Sequence, residues 1–203
     1  MLKKMNLPNK LTILRILLVP AFIVFMELQN KFADSITWAK YVALGIFVFA
    51  ALTDFLDGYI SRKKNMVTRF GKIMDPLADK LLISTAFIML AASGTIPAWI
   101  AAIVVFRDLF VDALRMFGTD KGKDISASLS GKIKTAFQLI GIILAILDKN
   151  EFAAFFTDAI KMSACDLLLN VCMTVAITVA VLATACSLVD YIIRFKEDIN
   201  VEE

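Results

Sequence analysis

Trp38-Ala39-Lys40-Tyr41-Val42-Ala43-Leu44-Gly45-Ile46-Phe47-Val48-Phe49-Ala50-Ala51-Leu52-Thr53-Asp54-Phe55-Leu56-Asp57-Gly58-Tyr59-Ile60-Ser61 is apolar for most of its length, then carries two carboxylates before Arg62-Lys63-Lys64 closes it. A helix crosses the roughly 30 Å hydrocarbon core of a bilayer with about 20 mostly apolar residues, so this stretch is long enough to span. A charge at such depth costs about 2.5–3.5 kcal/mol on insertion scales, so Asp54 and Asp57 must face protein or a water-filled cavity and mark function. The stretch therefore reads as a transmembrane helix that carries chemistry.

Working outward, five further stretches have the same character: Leu11–Leu28, Leu77–Ala92, Pro97–Phe117, Gly131–Leu147 and Leu167–Arg194. The chain has 203 residues, 59% of them hydrophobic, which argues against a water-soluble enzyme. Of 22 Lys and Arg, 18 fall on one side of these six spans, and only Lys31, Lys40, Lys149 and Lys161 fall on the other. By the positive-inside rule that side is cytoplasmic, with both termini there. Met1–Lys10 shows no cleavable signal peptide. The expected fold is an all-α integral membrane protein, six transmembrane helices forming a single domain over residues 1–203.

Histidine is absent, which removes Ser-His-Asp and Cys-His nucleophiles, histidine proton shuttles and histidine-ligated zinc. Cys165, Cys172 and Cys186 are odd in number and set in apolar sequence, and read as core or lipid packing. Charges intrude into several spans: Arg15, Asp54, Asp57, Asp79, Lys80, Arg107, Asp108, Asp112, Arg115 and Asp190. Nearly all lie toward the cytoplasmic half, which predicts a polar cavity facing the cytoplasm. The plainer alternative is that these charges only pair with one another to hold the bundle.

At about 100° per residue, Asp54, Asp57, Gly58 and Ser61 share one helix face, with Arg62 at its edge. Gly71, Asp75 and Asp79, four apart, form a second stripe as far as their segment is helical, and Pro76 fits the first turn of the third helix. Four carboxylates in a low-dielectric cavity cannot all ionise without cations. Two divalent ions would neutralise them, and oxygen ligands alone select Mg²⁺, Mn²⁺ or Ca²⁺. Such a pair suits in-line displacement at phosphorus. Gly58 and Gly71 would let a phosphate-bearing ligand approach the backbone, or would serve helix packing.

The string Asp54-x2-Asp57-Gly58-x2-Ser61-Arg62-x8-Gly71-x3-Asp75-x3-Asp79 resembles the signature of the CDP-alcohol phosphatidyltransferase family, with Ser61 where that family usually has alanine. The resemblance implies that Asp54, Asp57, Asp75 and Asp79 hold two Mg²⁺ or Mn²⁺ ions and that Asp79 also acts as general base on an acceptor hydroxyl. It implies that Gly58, Arg62 and Gly71 line the CDP pocket, that CMP is the leaving product, and that the protein is a homodimer. Asn6–Arg15 resembles the start of the branches of this family that make phosphatidylglycerophosphate or cardiolipin, which adds Asn9 and Thr12 to the CDP pocket. Arg107–Arg115 and Ser126–Gln138 resemble two further stretches of those branches, the second through its Gly131-Lys132-Ile133-Lys134-Thr135.

Arg107 and Arg115 lie two helical turns apart on one face, and Lys132 and Lys134 enter from the next helix. Four cations suit an acceptor that bears its own phosphate, which arginine can grip with two parallel bonds. Together with these cations, the resemblance implies a reaction that joins the phosphatidyl group of CDP-diacylglycerol to sn-glycerol 3-phosphate at the cytoplasmic face of a cell membrane, with membrane lipids as surroundings and no nucleic-acid partner. Lys121 and Lys123, in the Gly118–Ser130 loop, read as positive-inside charges or contacts to anionic headgroups. The rivals are a cardiolipin synthase that accepts phosphatidylglycerol or a synthase of the same family that accepts another phosphorylated polyol, a magnesium-dependent membrane prenyltransferase, and an ion or proton transporter with carboxylates along its path.

Overall fold

The computed structural model describes residues 7–32, 38–64, 69–120, 129–148 and 150–200, with side chains for all of these except 7–9, 55–64, 69–73, 75–76, 114–120, 132, 159 and 194–200. Every regular element among the described residues is helical: α1 (Leu7–Lys31), α2 (Trp38–Lys64), α3 (Arg69–Ala92), α4 (Ala98–Asp120), α5 (Leu129–Leu147), α6 (Phe155–Asp158), a 3-10 turn (Ala159–Lys161) and α7 (Ala164–Asn200). Each of the six apolar stretches falls on one long helix. The helices run past the apolar limits, because backbone hydrogen bonding continues into the charged flanks where hydrocarbon no longer dictates composition.

Two helices among the described residues are long and apolar enough to cross a membrane by length and composition, α1 over Lys10–Lys31 and α7 over Ala164–Ile193. Large apolar side chains such as Leu17, Val24, Tyr41, Leu52, Phe106, Leu109, Leu168 and Leu182 are exposed on α1, α2, α4 and α7. Water tolerates contiguous apolar surface poorly. Lipid does not penalise it.

The chain divides into two compact units, Met1–Ser93 and Gly94–Glu203. At the boundary the Ser93 N–H donates to the Met89 carbonyl at 3.0 Å and the Ser93 hydroxyl to the Leu90 carbonyl at 2.9 Å, which satisfies the last turn of α3. Gly94 follows at φ 76°, the left-handed cap that glycine adopts without strain.

In the first unit α1 packs against both α2 and α3. Its inward stripe is Thr12, Arg15, Val19, Phe22 and Met26, alternating steps of three and four residues that keep one face on its neighbours. The facing stripe of α2 is Ala39, Ala43, Phe47, Ala50 and Thr53. Its alanines let the backbones approach, and Phe22 meets Phe47 with ring centroids 5.9 Å apart.

In the second unit α7 is the axis against which α4 and α5 pack. It buries Asn170, Met173, Ile177, Ala180, Thr184, Ser187 and Tyr191, and α5 answers with Lys134, Gln138, Ile142 and Ala145. Closest approach is at Gly141, where an added Cβ would lie 3.0 Å from Ile177 Cγ1 and 3.5 Å from its backbone nitrogen. Gly141→Val is therefore expected to push α5 off α7 and cost about 1–3 kcal/mol, read as a lower thermal midpoint in detergent.

Beyond α5 the chain is tied down by a hydrogen-bond knot. Asn170 Nδ2 donates to Asp148 Oδ2 at 2.8 Å and to the Glu151 carbonyl at 3.0 Å, while Asn170 Oδ1 accepts from the Phe155 N–H at 3.1 Å. Asp148 Oδ1 accepts from the backbone and side-chain nitrogens of Asn150 at 3.0 and 2.9 Å. Ala153, in the left-handed region at φ 60°, donates its N–H to Thr174 Oγ1 at 3.1 Å. Such a residue costs on the order of 1–3 kcal/mol and persists where its surroundings fix it.

Candidate active site

The carboxylate motif lies on the second half of α2 and the first half of α3. Both segments are helical throughout, so Asp54 and Asp57 stand one turn apart on α2, and Gly71, Asp75 and Asp79 form one stripe on α3. Pro76 does not open the third helix, because α3 begins at Arg69 and the proline sits seven residues inside it. Lacking an N–H, Pro76 has nothing to donate to the Lys72 carbonyl, so α3 runs through it with one intrahelical hydrogen bond fewer. Both ends of the expected Gly118–Ser130 loop are helical, with α4 running to Asp120 and α5 starting at Leu129, and residues 121–128 lie outside the described residues.

Asp54 is anchored from below. Arg15 Nη1 lies 2.8 Å from Asp54 Oδ1, with the Arg15 side chain 0% exposed and that of Asp54 43% exposed. Arg15 Nε donates to the Ala50 carbonyl at 3.3 Å, and the Thr53 hydroxyl donates to the same oxygen at 2.7 Å. The guanidinium thus joins α1 to α2 one turn beneath the motif. Thr12, one turn before Arg15, is fully buried on the same face. Asp79 is part-buried on α3 beside the fully buried Ala78. The side chains of Asn9, Asp57, Gly58, Arg62, Gly71 and Asp75 lie outside the described residues. Sequence reasoning singled out Arg15 as a charge at depth but gave it no partner; its signal was its place on the stripe of Thr12, Val19 and Phe22.

The donor chemistry fits hard divalent cations. Paired carboxylates one turn apart on each of two helices supply oxygen alone, and Asp54 keeps much of its side chain accessible while bonded to Arg15. Its pairing restrains the carboxylate without burying it.

The second unit gathers another polar group. Arg107, Asp108, Lys134 and Ser187 are all buried. Arg107 Nη1 donates to Asp108 Oδ1 at 3.0 Å, Arg107 Nη2 donates to Ser187 Oγ, and Lys134 Nζ donates to Asp108 Oδ1. The guanidinium carbon lies 5.8 Å from the centroid of the Tyr191 ring. Asp108 thus bridges two of the four expected phosphate-binding cations, a part the sequence did not assign to it. Arg107 Nε is buried with no hydrogen-bond partner among the described residues. The side chains of Arg115 and Lys132 lie outside the described residues, although Arg115 belongs to α4 and Lys132 to α5.

A cavity of about 620 Å³ opens at the other end of α5, lined by Asn150, Glu151, Ala153, Thr157, Asp158 and Lys161 among others. Asp148, at its edge in sequence, is fourteen residues from Lys134, about 21 Å along a helix. Hydrogen bonds from Lys161 and Thr157 hold the Asp158 carboxyl below its ordinary range, and Asp158 in turn raises the Lys161 amine. Both groups are solvent-exposed ions at neutral pH, unsuited to proton transfer. The three cysteines are free and exposed on α7, as lipid packing requires and core packing does not.

Comparison with known proteins agrees with the motif. The sequence model for CDP-alcohol phosphatidyltransferase matches residues 5–189, which takes in both units. A Bacillus subtilis (strain 168) protein named CDP-diacylglycerol–glycerol-3-phosphate 3-phosphatidyltransferase is 39% identical over 153 residues, 72% of this chain and 79% of its own length. The Escherichia coli (strain K12) protein of that name is 35% identical over 144 residues, 68% of this chain and 74% of its own. A Mycobacterium tuberculosis (strain H37Rv) protein named probable phosphatidylglycerophosphate synthase is 34% identical over 195 residues, 96% of this chain and 84% of its own. With the full spacing of the motif carried on two continuous helices, and with matches of this extent, the chain belongs to the CDP-alcohol phosphatidyltransferase family.

Proposed function

We propose that this chain transfers the phosphatidyl group of CDP-diacylglycerol to sn-glycerol 3-phosphate, giving phosphatidylglycerophosphate and CMP, as the names of its relatives state for those proteins. It is a membrane phosphatidyltransferase of phospholipid biosynthesis. The observation that carries the choice of acceptor is the buried cluster of two cations, Arg107 and Lys134, around the single carboxylate of Asp108, with Arg107 Nε unbonded among the described residues. A cation kept out of water at such cost suits an acceptor bearing a phosphate, and a neutral alcohol would not need it.

In this reading six helices span the membrane as a single functional domain, with both termini and a polar cavity on the cytoplasmic side, and the enzyme works as a homodimer. Asp54, Asp57, Asp75 and Asp79 would hold two Mg²⁺ or Mn²⁺ ions, which when bound stabilise charge on the attacking and leaving oxygens. Arg15 fixes the rotamer of Asp54. Asp79 takes the proton from the acceptor hydroxyl, whose oxygen forms a bond to the lipid-bearing phosphorus as the bond from that phosphorus to the CMP oxygen breaks. Arg62 receives the charge of the departing CMP, with Asn9, Thr12, Gly58 and Gly71 around the nucleotide. Arg107, Arg115, Lys132 and Lys134 hold the acceptor phosphate.

Purified protein in detergent tests this. CMP release from CDP-diacylglycerol is expected to require both glycerol 3-phosphate and Mg²⁺ or Mn²⁺. Release that proceeds with phosphatidylglycerol instead would move the assignment to cardiolipin synthesis.

A further inference from the structure

Gln138 is 0% exposed, and neither its amide nitrogen nor its amide oxygen has a hydrogen-bond partner among the described residues. Buried amides are nearly always satisfied, and each exception wants an explanation. The packing of α5 on α7 shows why this one is not. Asp148 meets Asn170, and seven residues back along α5 Gly141 meets Ile177, seven residues on along α7, so the two helices run antiparallel. Continuing that register sets Gln138 opposite Ala180, whose methyl offers no hydrogen bond. The nearest polar group on the stripe of α7 is Thr184, whose hydroxyl is given to the Ala180 carbonyl at 2.6 Å. Ser187, the next along, is taken by Arg107.

On α5 itself Gln138 stands four residues after Lys134, about 6 Å along the same buried face. A three-carbon acceptor held by its phosphate at Lys134 and Arg107 spans that step. We propose that Gln138 is the specificity-determining residue for the acceptor's second hydroxyl, the one that is not phosphorylated and does not attack: the amide oxygen accepts from it, and the amide nitrogen donates to its oxygen. This rests on the functional reading above. It also explains why an amide is kept where an apolar side chain of like size would pack without an unmet polar group.

The test compares glycerol 3-phosphate with 3-hydroxypropyl phosphate, which keeps the phosphate and the attacking hydroxyl but lacks the middle one. The wild-type enzyme is expected to favour glycerol 3-phosphate by about tenfold or more in kcat/KM. Gln138→Met is expected to erase that preference by losing activity on glycerol 3-phosphate alone, with KM for CDP-diacylglycerol unchanged and the thermal midpoint equal or higher. Gln138→Asn, which withdraws the amide by one methylene, reads the same loss if the Met variant does not fold. A variant that keeps the preference, or that loses both acceptors equally, overturns the proposal, as does a wild type that uses both alike. A wild type that uses neither phosphate acceptor overturns the functional reading as well.

Discussion

Chelation of divalent cations is expected to bring turnover to background, by about 10³-fold or more, and added Mg²⁺ or Mn²⁺ to restore it. The motif supplies two pairs of carboxylates, each pair one turn apart on its own helix. Arg15 compensates one oxygen of one member, Asp54. Several kcal/mol of charge stabilisation at the reacting oxygens corresponds to that loss, at tenfold per 1.4 kcal/mol. A second readout accompanies it: ions that bind only the folded chain raise its thermal midpoint, so chelation should lower the midpoint in a concentration-dependent way. Full activity in excess chelator would end the reading of the quartet as a cation site and leave Arg15–Asp54 as a structural ion pair.

Asp79→Asn is expected to lower kcat by about 10³-fold, within the range that a positioned general base supplies, with little change in the acceptor KM. The substitution keeps size and removes both charge and basicity. Because the same carboxylate is proposed as a ligand, the variant should also need more Mg²⁺ for half-maximal rate. Titration to saturating Mg²⁺ separates the two roles: recovery at high metal leaves only ligation, and a deficit that persists reports the lost base. Near-normal turnover at ordinary Mg²⁺ would remove both.

The six apolar stretches each became a helix because run length against bilayer thickness is a local property that composition records directly. Helix ends were less legible. Pro76 looked like a start signal, yet the carboxylate stripe needs regular geometry on both sides of it, and the helix runs through. The small α6 and the knot of Asp148, Asn150 and Asn170 left no trace, since hydrogen bonds between residues twenty-two apart have no periodicity. At the site, residue types and spacing named Asp54, Asp79, Arg107 and Lys134. What they could not give was pairing: Asp54 to Arg15 across 39 residues, and Lys134 to Asp108 across 26. Gln138 has no signal of its own in the sequence, because the absence of a partner is visible only once its neighbours are in place.

The three thiols have a practical consequence. Cys165, Cys172 and Cys186 all ride on α7, at separations of seven and fourteen residues that return them to nearly the same side of the helix. They therefore mark that side at intervals of about 10 and 21 Å. The native chain carries its own graduated dipstick, along which thiol reagents confined to water and reagents dissolved in the acyl chains would divide according to immersion, with no residue replaced.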